Sequence, residues 1–327
     1  MSAAAATIDD PLVVAIPLTT PFRGTRVREA ALWRGPAGWC EFAPFADYDD
    51  AAAVPWLLAA EAFAREPAPT PVRVTVAVNC TVPAVDADEA AAIATAGHGC
   101  TTAKVKVAER GQSLDDDVAR VGAVRDALGP HGRVRIDANG GWSVAQARVA
   151  LTELGSFDLE YVEQPCRSVE ELAEVRSFGI ALVAADESIR LATDPLRVVL
   201  AGACDLAVLK VAPLGGMRPA LRIAEQVGVP VVVSSAVDTS IGLSAGVALA
   251  ACLPELPYAC GLGTRELLTA DVVAETASLF PRAGVVQVKR PEVDEAAAAV
   301  VAADGATSTR WRNRLARVRA LAGAGRA

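Results

Sequence analysis

Val134-Arg135-Ile136-Asp137-Ala138-Asn139 is a short apolar run that closes on a carboxylate. The chain repeats the device in Leu159-Glu160-Tyr161-Val162-Glu163-Gln164-Pro165 and in Leu182-Val183-Ala184-Ala185-Asp186-Glu187. Runs this short and this rich in β-branched residues read as buried parallel strands, where no structural rule asks for a charge. Glu163 lies 26 residues after Asp137, and Asp186 lies 23 after Glu163. One strand, one helix and two short loops fill that length, so the three acids end successive βα units.

The rhythm continues outward in both directions. Candidate strands are Val72–Asn79, Ala103–Val107, Val134–Asp137, Leu159–Glu163, Leu182–Asp186, Leu206–Lys210, Val231–Ser234 and Ala259–Leu262, with Ala-rich helical stretches between them. Taking Asn79, Lys106, Asp137, Glu163, Asp186, Lys210, Ser234 and Gly261 as strand ends, the steps are 27, 31, 26, 23, 24, 24 and 27 residues. So even a period over eight units predicts an α/β fold of the (β/α)8-barrel type, with its working residues at the C-terminal strand ends. A doubly wound sheet would have fewer strands and a glycine-rich phosphate loop after the first, and that loop is missing.

Residues 1–71 do not keep the rhythm. Leu12–Leu18, Val27–Arg34 and Trp39–Phe42 read as strands punctuated by Pro21, Gly24 and Gly35-Pro36, and Asp50–Arg65 reads as a helix with a proline inside. After Phe280 the chain leaves the barrel for a strand at Val285–Lys289 and a last helix. The expected division is an α+β capping unit in 1–71, a barrel in 72–284, and a segment 285–327 that packs back on the cap.

Composition narrows the function classes. Hydrophobic residues make up 52% of the 327, with few aromatics, so the core is built of Ala, Val and Leu. The net charge of −8 argues against a nucleic-acid surface. The basic run Arg310–Arg319 reads as one solvated helix face, because Trp311, Leu315 and Val318 recur at helical spacing. The longest apolar stretch, 231–253, is broken by Ser234, Ser235, Asp238, Thr239 and Ser240, which argues against a membrane span. Seven cysteines form no Cys-x-x-Cys pair, and residues 1–10 lack the pattern of a signal peptide. A soluble cytoplasmic protein with reduced thiols is expected, and no feature points to a protein partner.

Lys104-Val105-Lys106 ends the second strand, and alternation sends both lysines to one side, the barrel interior. Lys210 ends the sixth strand, so Lys106 and Lys210 should face each other across the mouth. Asp137, Glu163 and Asp186 end neighbouring strands three to five and would repel one another without a divalent cation. All-oxygen ligation suits Mg²⁺, with Mn²⁺ the second choice. Glu187 follows as a supporting partner, Asn139 alternates with Asp137 into the same cavity, and Arg135 lies one layer below. The two histidines, His98 and His131, sit in turn-like contexts, which leaves lysine as the base. A metal beside facing lysines suits proton abstraction next to a carboxylate. A barrel that binds a metal or a partner without catalysis is the competing class.

These motifs, from Lys104-x-Lys106 through Asp137, Glu163, Asp186 and Lys210, match the enolase superfamily and its muconate-lactonizing subgroup. Thr19-Thr20-Pro21-Phe22-Arg23-Gly24, Gly35-Pro36-Ala37-Gly38-Trp39-Cys40-Glu41-Phe42-Ala43-Pro44-Phe45 and Ser234-Ser235-Ala236-Val237-Asp238-Thr239-Ser240-Ile241-Gly242 resemble the actinobacterial o-succinylbenzoate synthases. Cys40 stands where that family more usually has glycine. The resemblance implies a cap made from both termini, a loop near 17–24 that closes over substrate, and a Mg²⁺-dependent syn elimination of water in menaquinone synthesis. Lys106 would move the proton and Lys210 would supply charge. Cys260-Gly261-Leu262-Gly263-Thr264 lacks the Asp-x-Asp of the dipeptide epimerases. Ser234, Ser235, Gly261 and Arg23 are candidates to bind a small dicarboxylate. The alternative is racemization of an N-acylamino acid or epimerization of a dipeptide, with both lysines as bases.

Overall fold

The computed structural model describes residues 6–22, 24–190 and 195–324. Its cap sheet contains β1 (Leu12–Phe22), β2 (Thr25–Gly35) and β3 (Gly38–Phe42), antiparallel and in that order. The Phe22↔Thr25 pair closes the β1–β2 hairpin, so residues 17–22, expected as a covering loop, are strand instead. Gly38 sits at φ +127°, a conformation that glycine supplies to the tight turn between β2 and β3. Helix α1 (Val54–Arg65) packs across this sheet. It begins later than the sequence suggests because Pro55 occupies its first turn, where the missing N–H costs nothing.

Next come β4 (Thr75–Ala77), then β5 (Cys80–Val82), β6 (Thr102–Lys106), β7 (Arg133–Asp137), β8 (Leu159–Glu163), β9 (Val183–Ala185), β10 (Leu206–Leu209) and β11 (Val231–Val233). β5 to β11 form one parallel sheet in sequence order. Parallel bridges Val78↔Cys260 and Ser234↔Gly261 close it into a barrel. The eighth position is therefore a pair of bridging residues rather than a full strand Ala259–Leu262. Gly261 and Gly263 bring the backbone so close to Ser234 and Asn79 that a Cβ at either would lie 2.4 Å from an oxygen.

The first strand also differs from expectation: Val72 and Val74 are exposed, and barrel pairing begins only at Val78, with the ladder to β6 starting at Cys80. β-Branched residues suit a strand whether or not it faces a core, so the valines drew the boundary too early. β4 instead pairs antiparallel with β12 (Val285–Gln287), which ties this part of the C-terminal segment to the barrel rather than to the cap.

The covering helices are α2 (Ala87–Ala96), α3 (Leu114–Leu128), α4 (Val144–Leu154), α5 (Val169–Ser177), α6 (Glu187–Arg190), α7 (Arg197–Leu200), α8 (Met217–Gln226) and α9 (Ser240–Cys252). Three consecutive ones, α3 to α5, start with a serine capping box, Ser113–Asp116, Ser143–Gln146 and Ser168–Glu171. Each box satisfies two backbone N–H groups and fixes where its helix starts after the strand-end loop. After the eighth position no α-helix but the 3₁₀ turns Thr264–Leu267 and Glu275–Ala277 lead to β12 among the described residues.

The chain finishes with α10 (Glu295–Val300) and α11 (Gly305–Ala324), which lies on β1, β2 and α1. Trp311, Leu315 and Val318 are its buried stripe, and Trp311 meets Phe42 edge to face at 5.9 Å. Its arginines are paired rather than free in solvent: Arg310 with Glu29, Arg312 with Asp10, Arg317 with Asp50 and Arg319 with Asp9. All seven cysteines are unpaired. No helix among the described residues is long and apolar enough to cross a membrane.

Candidate active site

The register of β6, β7 and β8 sets Lys106 beside Asp137 and Asp137 beside Glu163, at the C-terminal rim of the barrel. Lys106 Nζ lies 2.5 Å from Asp137 Oδ2 and 2.6 Å from Asn139 Oδ1. Lys104 Nζ reaches both Glu163 oxygens, at 3.0 and 2.9 Å, and stands 3.4 Å from Asp137. Lys210 Nζ donates to Asp186 Oδ2 at 2.5 Å, while Arg190 Nε holds Asp186 Oδ1 at 3.1 Å. Arg190 and Asn139 both donate to Glu187 Oε1. The strands before Lys106 and Lys210 stand four places apart in the sheet, on opposite sides of an eight-position barrel.

Burial governs the electrostatics. It pushes the Lys104 ammonium toward neutrality, but the Glu163 and Asp137 carboxylates outweigh it and hold the lysine charged. For Asp137, burial is overcome by Lys106 and Lys104, which keep its carboxyl below the usual range. Glu163 goes the other way, because burial and the neighbouring Asp137 charge raise its pKa. Among the described residues four carboxylates (Asp137, Glu163, Asp186, Glu187) face four cations (Lys104, Lys106, Lys210, Arg190), which leaves no formal net charge.

The carboxylates do not by themselves close around a point; among the described residues no three Asp, Glu, His or Cys groups do. Lys104 Nζ instead lies between Glu163 and Asp137 as a resident cation. The donor set fits a hard divalent ion: all oxygen, buried and from adjacent strands. Accepting one requires the Lys104 ammonium to swing aside.

Several expected participants make structural contacts of their own. Arg135 is fully buried at the barrel floor, bonded to Glu160 (2.5 Å), Tyr161 Oη (3.1 Å), Asn79 (3.3 Å) and the Ala259 carbonyl (2.6 Å). Inward alternation put it one layer too deep for the mouth. Ser234 and Ser235 both donate to the Gly261 carbonyl, and the Gly261 N–H serves the Val233 carbonyl. These donors stitch the seam between the seventh and eighth positions, while Ser234 and Ser235 also line the cavity that Lys210 borders. Arg23 lies outside the described residues.

Other residues of the site were missed. Buried Arg120 donates to the Lys106 carbonyl at 2.9 Å and pairs with Asp117, whose carboxylate accepts from Ala108 N–H at 2.9 Å. Together they brace the backbone on both sides of the turn after Lys106. A charged i,i+3 pair on the same face as buried Val121 and Val124 is the signal that could have revealed them. Gln164 Oε1 accepts from the N–H groups of Asp186 and Ser188, fixing the turn that carries Asp186. Phe22, from the cap hairpin, covers Lys106 with its ring centroid 4.9 Å from Nζ.

A capped parallel barrel with acids on strands three to five and lysines on two and six is the arrangement of an enolase-like enzyme. Residues 13–64 match the enolase N-terminal domain-like family and residues 86–291 the enolase C-terminal domain-like family. The muconate lactonizing enzyme from Pseudomonas fluorescens shares the fold, with TM-score 0.77 over 90% of this chain and 98% of that one at 21% identity. The L-Ala-D/L-Glu epimerase from Bacillus subtilis aligns at TM-score 0.74 and 22% identity, covering 86% of this chain and 96% of that one.

Sequence relatives narrow the class. The o-succinylbenzoate synthase of Thermobifida fusca is 60% identical over 94% of this chain and 95% of its own length. That of Mycolicibacterium smegmatis is 50% identical over 94% and 95%. The chain belongs to the o-succinylbenzoate synthase family of the enolase superfamily, and is a lyase.

Proposed function

We propose that this chain dehydrates 2-succinyl-6-hydroxy-2,4-cyclohexadiene-1-carboxylate to 2-succinylbenzoate, a step of menaquinone synthesis. The observation that carries the reading is the pair of lysine–carboxylate contacts at 2.5 Å, Lys106–Asp137 and Lys210–Asp186, set on opposite sides of one buried ring. The identity to o-succinylbenzoate synthases supports the substrate.

In this reading Lys106, which must enter the step as the neutral amine, removes the proton α to the carboxylate and returns it from the resulting ammonium to the departing hydroxyl on the same face. Water leaves, the ring becomes aromatic and the lysine regains its starting state. Asn139 and Asp137 aim the Lys106 nitrogen, and Arg120 holds its backbone. Lys210 supplies positive charge from the opposite side. Enzymes of this superfamily generally depend on a divalent metal. We assign Mg²⁺, with Mn²⁺ able to substitute, to Asp137, Glu163 and Asp186; when bound it supplies the charge that a carboxylate gathering a second negative charge needs. An electroneutral mouth plus a divalent ion matches a dianionic substrate.

We also assign the described part of 1–71 together with α11 to a cap around a barrel of 72–284, to which β12 is added by its pairing with β4, supported by the seat of α11 on β1, β2 and α1. The test is turnover: the purified chain should consume the cyclohexadiene carboxylate with loss of its ultraviolet absorbance, cease with EDTA and recover with Mg²⁺. Failure in the presence of Mg²⁺ rejects the reading. Racemization of an N-acylamino acid would use the same two lysines, and Lys210→Arg separates them. It should retain dehydration and lose α-proton exchange.

A further inference from the structure

The loop Ser234–Thr239, between the seventh strand and α9, is gripped from the cap. Arg28 on β2 is 3% exposed; its Nε donates to the Val237 carbonyl at 3.1 Å, its Nη2 donates to the Ala43 carbonyl, and Asp238 lies 3.8 Å away. Glu41 on β3 accepts from Thr239 N–H at 3.2 Å and from the Thr239 hydroxyl. Gly242 makes room for this contact, since a Cβ there would stand 2.8 Å from the Glu41 carboxyl carbon. Val237, between the two grips, sits at φ +59°.

A β-branched residue in the left-handed region is strained and persists only where its surroundings hold it. Here the surroundings belong to the cap. Buried ion pairs are poor general stabilisers once desolvation is counted, so apolar packing would serve adhesion better. What the Arg28 and Glu41 contacts add is geometry. The loop they shape walls a cavity shared by Lys210, Ser235, Ala236, Asp238, Trp56 and Phe63.

We propose that Arg28 and Glu41 are positioning residues: the cap sheet holds the Ser234–Thr239 loop in its strained form, and that form sets the wall beside Lys210 against which substrate binds. The proposal rests on the dehydration reading for its kinetic half alone. Arg28→Met should raise KM about tenfold with kcat within threefold of wild type. It should also speed hydrogen exchange at the amides of residues 235–239 about tenfold, leaving the β6–β8 amides unchanged. Adding Val237→Gly lets the loop keep its shape without the grip and should bring both values back toward wild type.

Arg28→Lys, which keeps the charge and loses the fork, should show the same pattern about threefold if the methionine variant does not fold. Unchanged exchange in the loop, or unchanged KM with a lower Tm, overturns the proposal. So does a Val237→Gly second change that restores nothing. A wild-type chain that does not turn over the cyclohexadiene carboxylate rejects the dehydration reading, and the exchange result then decides the grip by itself.

Discussion

At the barrel floor Arg135 fans its guanidinium onto Glu160, Tyr161, Asn79 and the Ala259 carbonyl, whereas at the mouth lysine ammonium groups meet Asp137, Glu163 and Asp186 one or two at a time. Both regions are buried and both pair opposite charges. An arginine fork matches several fixed acceptors at once, while a lysine is a point charge on a flexible stem that can leave its partner. The floor therefore suits permanence and the mouth suits exchange of proton, ion and substrate. The same chemical pairing does different work because of which cation carries it.

The hardest test of that contrast is Lys106→Ala. Loss of a general base should lower kcat by about 10³-fold, with Mg²⁺ binding and thermal midpoint close to wild type. Retained turnover would remove Lys106 from the role of base. Glu163→Gln comes next: affinity for Mg²⁺, read by calorimetry, should weaken by about 10–100-fold and turnover should fall with it. Unchanged affinity would make Glu163 a partner of Lys104 only.

At the floor, Glu160→Gln leaves Arg135 with a weaker partner and should lower unfolding stability by about 2–3 kcal/mol in denaturant titration, with kcat within about threefold. A loss of turnover without a loss of stability would abolish the distinction between the two ends. The smallest effect concerns pH. Burial, with Asp238 adding to it, pushes the Glu41 carboxyl up to about 8, against the opposing pull of Thr239 and Arg28. Because the folded state holds this proton more tightly, the contribution is full below about pH 4.5 and is lost as pH rises through 8. Glu41→Gln should flatten the fall in stability across that window.

Much of this was legible in the chain. The three acids and three lysines declared themselves because a charge at the end of an apolar strand has few structural excuses, and the even period placed them on one rim. The seam was not legible: Ser234, Ser235 and Gly261 look like substrate ligands until the structure shows their donors engaged with the Gly261 and Val233 carbonyls. Arg135 shares the inward phase of Asp137, and periodicity of two gives the side of a strand but not the depth at which a long side chain settles. Val72 and Val74 misplaced the first strand for a related reason, since propensity does not report burial. Glu41 acts on Thr239, 198 positions away, which local pattern does not join, whereas Asp117 and Arg120 left only the local signal of a charged i,i+3 pair on a buried helix face.

The seat of α11 on β1 and β2 has a consequence in time. Contacts such as Trp311 to Glu29 and Arg310 to Glu29 join residues about 280 positions apart. During synthesis the barrel strands emerge before the helix that completes the cap, so the Glu29 face of β2 gains its α11 partners last. Contacts this distant in sequence form slowly. Refolding should therefore show a fast phase for the barrel and a later one in which the cap closes and activity returns.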